Sequence, residues 1–182
     1  MGRAGSSRSA RRGGFTLVEM LTTVALLIII LGLMVSLARY VRRRSAEDLT
    51  RRILVNVHVA MAEYVKEAGR PPEIESFIEG HAGDETELMH AALLNNRKFV
   101  QFFKAHKTLS DKAFRDLPLS VYDEATIRDA WGTPVVFMPT MHRQIGMAPG
   151  QEWFFFSAGP DRQFLTRDDN QYSYEAVGGG GP

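Results

Sequence analysis

At 182 residues the chain has room for one small domain and one long segment beside it. Its 22 basic and 21 acidic residues leave a formal net charge of +1, which excludes a strongly basic chain built to coat nucleic acid. There is no cysteine, so a domain outside the cytoplasm is held by its core or by a metal and not by disulfides.

The chain opens on Arg3, Arg8, Arg11 and Arg12 with no acid, and then reads Gly13-Gly14-Phe15-Thr16-Leu17-Val18-Glu19. From Met20 to Ala38 there follow 19 residues without a charge. As a helix, at about 1.5 Å per residue, this run is roughly the thickness of a bilayer core. It predicts one membrane span over about residues 15–38. Three readings fit: a permanent anchor, a secretory signal cut after Ser36-Leu37-Ala38, or a segment processed at its cytoplasmic edge. The third accounts for two features that the others leave alone, a Gly-Gly pair before the apolar run and the carboxylate of Glu19 within it.

Gly14-Phe15-Thr16-Leu17-Val18-Glu19, with its basic leader and uninterrupted apolar run, resembles the prepilin cleavage motif of type IV pilins and type II secretion pseudopilins. The resemblance implies cleavage after Gly14 by a prepilin peptidase, N-methylation of Phe15, and insertion as one continuous helix. Residues 1–14 would then be a leader; its four arginines leave with it, taking the formal charge from +1 to −3. Glu19 has a physical case of its own. A carboxylate at the middle of a membrane helix costs roughly 2.5–3.5 kcal/mol on insertion scales. Locally, Glu19 offsets the helix dipole and can pair with its own chain's amine. Between subunits, it would meet Phe15 of a neighbour in a filament. The far flank carries Arg39, Arg42, Arg43, Arg44, Arg51 and Arg52, so the positive-inside count does not favour a cytoplasmic N-terminus; the cleavage motif assigns that orientation. Arg42-Arg43-Arg44 reads as an interfacial anchor whose stems snorkel.

No proline lies between Phe15 and Arg70, and Leu49, Ile53, Val57, Met61, Tyr64 (or Val65) and Ala68 recur at steps of three and four. This predicts one long helix over 15–69 whose later part lays an apolar stripe on a globular head. A helix of that length would be about 80 Å long, which suits a chain whose neighbours bury its exposed part. Gly69-Arg70-Pro71-Pro72 stops it. The stretch from Ala62 to Pro72 also resembles the end of the long helix of major pseudopilins, with Pro71 in place of an aromatic residue. That resemblance implies a short second helix over Glu73 to Glu79.

Residues 70–128 read as a variable, mostly helical region, with helices over Glu85 to Asn95 and Arg97 to His106, a short one capped by Ser110, and another over Asp123 to Arg128. Residues 129–177 read as a small sheet and an acidic loop. Val135 to Met138 and Glu152 to Ser157 predict an antiparallel pair. The Asp129-Ala130-Trp131-Gly132-Thr133-Pro134 turn before it is similar to the Asp-Pro-Trp-Gly-Asn-Pro turn of major pseudopilins. Residues 178–182 read as a flexible tail.

Ser157 to Asn170 is the one stretch with ligand chemistry. Calcium takes six to eight hard oxygens, and Asp161, Asp168, Asp169 and Asn170 can supply several. The loop resembles the calcium loop of major pseudopilins, without its later glycines and with Arg162 and Arg167 added. The alternative is an acidic surface turn. Catalysis finds no support: His58, His81, His90, His106 and His142 are scattered, and no zinc spacing, nucleophile elbow or phosphate loop is present.

The expectation is therefore an α+β, pilin-like chain: a non-enzymatic structural subunit of a pseudopilus serving type II secretion. Its implied partners are the prepilin peptidase, other pilin-like subunits, an inner-membrane assembly platform and membrane lipid, with no nucleic acid. Its implied place is the inner membrane, with the head on the periplasmic side. Alternatives are a type IV pilin subunit for adhesion, motility or DNA uptake, and a membrane-anchored binding domain that never polymerises.

Overall fold

The structure, a computed structural model, describes residues 16–79, 84–146, 150 and 152–178. The fold is α+β and the chain divides into two compact units, Met1–Arg42 and Arg43–Pro182. Helix α1, Leu17–Ala68, begins in the first and ends in the second.

In the first unit every described residue of α1 is exposed. The helix is long and apolar enough to cross a membrane, with a mean hydropathy of 2.6 over its most apolar stretch. In the second unit the helix becomes one-sided. Ile53, Val57 and Met61 of the expected stripe are fully buried, and Leu49, Tyr64 and Val65 pack at its edge, while Ala68 is exposed. The buried face is wider than the stripe and includes Thr50, Leu54, His58 and Ala60. The helix stops as predicted: Gly69 takes φ +78° and its N–H bonds the Val65 carbonyl at 2.8 Å, with Pro71-Pro72 beyond.

The expected short helix over Glu73 to Glu79 does not form. Pro72, Ile74 and Ser76 are buried while Glu73 and Glu75 are exposed, a period of two that belongs to extended chain. Phe77 then turns into the core. Nor are there two helices between Glu85 and His106, because nothing between Asn95 and Arg97 breaks the turn. Helix α2 runs unbroken over Glu85–Ala105, capped by the Asp84 carboxylate, which accepts from Thr86 N at 2.9 Å. Helix α3, Lys107–Phe114, starts three residues before Ser110, which therefore lies inside it and is not its cap. The expected helix over Asp123 to Arg128 is instead a tight turn. The Asp123 carboxylate accepts from Ala125 N, Thr126 N and Thr126 Oγ1, Glu124 takes φ 66°, and Tyr122 bridges Ile127. An aspartate that captures the next backbone donors outcompetes the helix.

Strands β1 (Val136–Met138), β2 (Phe154–Ser157) and β3 (Gln171–Tyr172) form one antiparallel sheet in that order. Val136 faces Phe156 and Met138 faces Phe154. The pair β1–β2 matches the expectation; β3 and the short helix α4, Ser173–Gly178, were not foreseen. Both sheet faces are covered. Val135, Phe137, Trp153 and Phe155 join the core built by α1, α2 and α3, while Val136, Met138, Phe154 and Phe156 join a second core with Phe77, Leu88 and Phe164. That is why β1 is apolar at every position and β2 at every position before Ser157.

The outer edge of β1 is met by the Asn95 side chain, and just before the strand Asn96 sits between Val135 and Ile127, whose carbonyl also accepts from Val135 N at 3.1 Å. Asn95 on α2 donates to the Phe137 carbonyl at 2.9 Å and accepts from the Phe137 N–H at 2.9 Å; its amide also holds the Glu75 carbonyl at 3.0 Å. Asn96 donates to the carbonyls of Ile127 and Val135 and accepts from Ile127 N. An amide that donates and accepts at once imitates a neighbouring strand.

Candidate functional site

Gly14 and Phe15 lie outside the described residues. The first described group is Thr16, whose Oγ1 accepts from Glu19 N at 3.2 Å, while its carbonyl accepts from Met20 N at 3.1 Å. Thr16 thus caps α1, and Glu19 stands in the first turn, where a carboxylate complements the unpaired N–H groups. The spacing Thr-x-x-Glu is a capping-box signature, a signal present in the sequence and missed in reading Glu19. The backbone carbonyl of Glu19 accepts from Thr22 Oγ1 at 3.0 Å and from Thr23 Oγ1. These two hydroxyls, near the start of the uncharged run, are satisfied within the helix. Glu19's carboxylate is exposed and has no partner among the described residues.

The acidic loop is built from a turn at Gly159, where φ is +71° and an added Cβ would overlap the Asp169 carbonyl oxygen. Asp161 is spent on closing the loop: its Oδ1 accepts from Gln163 N at 2.8 Å and its Oδ2 from Thr166 Oγ1 at 2.6 Å. Asp169 Oδ2 accepts from Asp161 N at 3.1 Å, but its Oδ1 is buried with no hydrogen-bond partner. Asn170 is buried, its amide donating to the Phe164 carbonyl at 3.1 Å; its Oδ1 too is buried without a partner. Asp168 is exposed. Arg167 points to the Arg143 carbonyl at 3.3 Å. Among the described residues no group of three or more histidines and acids is gathered to hold a metal. The structure therefore leaves two buried oxygens, on Asp169 and Asn170, without hydrogen-bond partners, while Asp161 closes the loop and Asp168 is exposed. Two unpartnered buried oxygens fit a hard cation.

Between loop and sheet sits a residue that the sequence named only as part of a turn. Asp129 is buried; its Oδ1 accepts from Trp131 N at 2.9 Å and Thr133 N at 2.8 Å, and its Oδ2 from Ser157 Oγ at 2.7 Å. Ser157 Oγ in turn accepts from Gly159 N at 3.1 Å, so one carboxylate ties the Trp131 turn to the end of β2 and the start of the loop. Ala130 N donates to Thr50 Oγ1 of α1 at 3.1 Å. Burial pushes the Asp129 carboxyl above its ordinary range, against the pull of its donors.

Comparison with known protein families, curated proteins and solved structures finds no match to this chain. The α+β layout, with a long apolar N-terminal helix and a small antiparallel sheet, defines the class of architecture.

Proposed function

We propose that the chain is a pseudopilin-like structural subunit, cut after Gly14 by a prepilin peptidase, methylated on Phe15 and assembled into a filament for type II secretion. One observation carries the reading: an apolar helix exposed on all sides begins with a capped turn that holds out a carboxylate, Glu19, without a partner among the described residues. A helix apolar all round belongs in lipid or among its own copies. In this account the helix stands in the inner membrane before assembly, with the head on the periplasmic side. An assembly platform moves it into the filament, where Glu19 pairs with the Phe15 amine of a neighbour. The subunit performs no catalysis.

The N-terminal peptide mass of the native protein tests processing. A peptide starting at methylated Phe15 supports the reading. A chain starting at Met1 or Gly2 leaves a plain anchor, and one starting at Arg39 leaves a secreted domain. Glu19→Val should still be cleaved yet assemble poorly; normal filament yield from that variant removes the role of Glu19. Calcium belongs to the same proposal, with Asp169 and Asn170 as its innermost side-chain ligands and Asp161 and Asp168 beside them. Bound only by the folded head, it would raise the melting temperature, and a melting temperature indifferent to both calcium and chelator ends that part.

A further inference from the structure

We propose that Arg39 and Arg42 bind the phosphate of an anionic phospholipid headgroup at the C-terminal end of the apolar run. The inference rests on the membrane reading of α1 and holds for whichever leaflet that end reaches. Arg39 is the first charge after Glu19. At roughly 1.5 Å per residue the two charges are separated by about the thickness of a bilayer core, so with Glu19 at one interface Arg39 lies at the other. Arg39 and Arg42 are three positions apart, which puts both guanidiniums on one face of the helix. Both are exposed, and neither has an acidic partner among the described residues. Arg43, next to them, shows the contrast: its Nε reaches Glu47 at 2.9 Å, so the nearest acid is already engaged.

Exposed Leu37 and Val41 stand among the arginines and keep this part of the helix in the acyl region while the guanidiniums reach outward. A guanidinium presents a fork of donors that matches two phosphate oxygens, and two on one face match a single headgroup or two adjoining ones. Zwitterionic headgroups carry a compensating ammonium, so the unpaired positive charge selects anionic lipid.

The full-length chain is reconstituted in vesicles of equal parts phosphatidylcholine and phosphatidylglycerol. An alkaline wash comes first: a chain released into the wash is no membrane protein, and both the anchor and this inference fall. A chain that stays is extracted in mild detergent, and its retained lipid is read by native mass spectrometry. Phosphatidylglycerol should be enriched over phosphatidylcholine. The enrichment should fall about fivefold for each of Arg39→Gln and Arg42→Gln, weaken with added salt, and persist with inorganic phosphate and in Arg52→Gln. A retained chain without enrichment overturns the inference alone, as does undiminished enrichment in the double variant. An equal fall in Arg52→Gln would mean diffuse charge, and displacement by inorganic phosphate a free-anion site; either result overturns it as well.

Discussion

Helix α1 carries leucines and isoleucines in both of its units, and they meet opposite fates. Ile28, Ile29 and Leu33 are each more than half exposed, whereas Ile53 and Leu54 are fully buried. Intrinsic helix propensity does not separate these stretches. Their surroundings in sequence do. From Met20 to Ala38 apolar side chains go all round the helix, so no face is left for water. From Arg51 onward, Arg52, Asn56, Glu63 and Lys66 break that continuity and confine the apolar residues to one face, which the head covers. The first stretch calls for a surrounding that the chain does not supply; the second is satisfied by its own fold.

The sharpest way to break this comparison is to remove one large apolar side chain from each region. Phe155 is fully buried, with ring centroids 5.2 Å from Phe99 and 5.1 Å from Phe137. Phe155→Ala should cost about 3–5 kcal/mol by lost burial and an unfilled cavity. Ile28→Ala should leave the thermal unfolding of the head unchanged, because its side chain is exposed and belongs to neither buried core. Circular dichroism melts of the two full-length variants in detergent test the pair. Equal shifts would mean that the exposed stretch contributes to the head's stability and that the division is wrong.

A second, smaller effect sharpens the account of the head. Asn95→Ala would leave both the N–H and the carbonyl of Phe137 without their partner on the free edge of β1, together with the Glu75 carbonyl. Buried, unpaired backbone groups of this kind should cost about 2–4 kcal/mol in total, measured by urea unfolding. A loss under about 1 kcal/mol would mean that water reaches that edge and closes it as well as the asparagine does.

These two experiments also mark what a sequence can and cannot show here. The C-terminal end of α1 was legible because Gly69, Pro71 and Pro72 act locally, and the strands because an unbroken apolar run such as Trp153-Phe154-Phe155-Phe156 has few other fates. The roles of Asn95 and Asn96 were not legible. Their partners lie up to 42 residues away, and nothing in a polar pair on an amphipathic helix announces a strand edge. Asp129 was recognisable as part of a turn but not as the group that joins the turn to Ser157, 28 residues on. The stretch Glu73 to Glu79 was misread because Ile74, Phe77 and Ile78 stand at helical spacing, and only the fold shows that the polar Ser76 is buried beside Ile74 in an extended chain. In the acidic loop, composition named four oxygen donors, but only the fold could show that Asp161 is used in closing the loop while Asp169 and Asn170 each keep an unpartnered oxygen.

The smallest expected effect separates the regions by pH, because the buried titratable groups described here all lie in the head. His58 is buried on α1, its Nδ1 3.0 Å from Ser173 Oγ and its ring 4.8 Å from that of Trp153. Ser173 Oγ also accepts from Phe155 N at 3.0 Å, so this hydroxyl joins the helix to β2. Burial holds the imidazole below its ordinary value of 6.5, and the folded head keeps it neutral. In the unfolded chain the same ring takes up a proton near its ordinary value. Its contribution to stability is therefore complete above about 6.5 and is lost as pH falls through the lower, folded value. Asp129 has the opposite sign: its carboxyl is raised, so its contribution is present at low pH and is lost as pH rises through the folded value. Melting temperatures taken from about pH 7.5 down to about 5.5 should fall in the wild type and fall less in His58→Gln, whose amide can still meet Ser173. If the two slopes are equal, the acid sensitivity of the head arises elsewhere, and His58 is held only by its packing on Trp153.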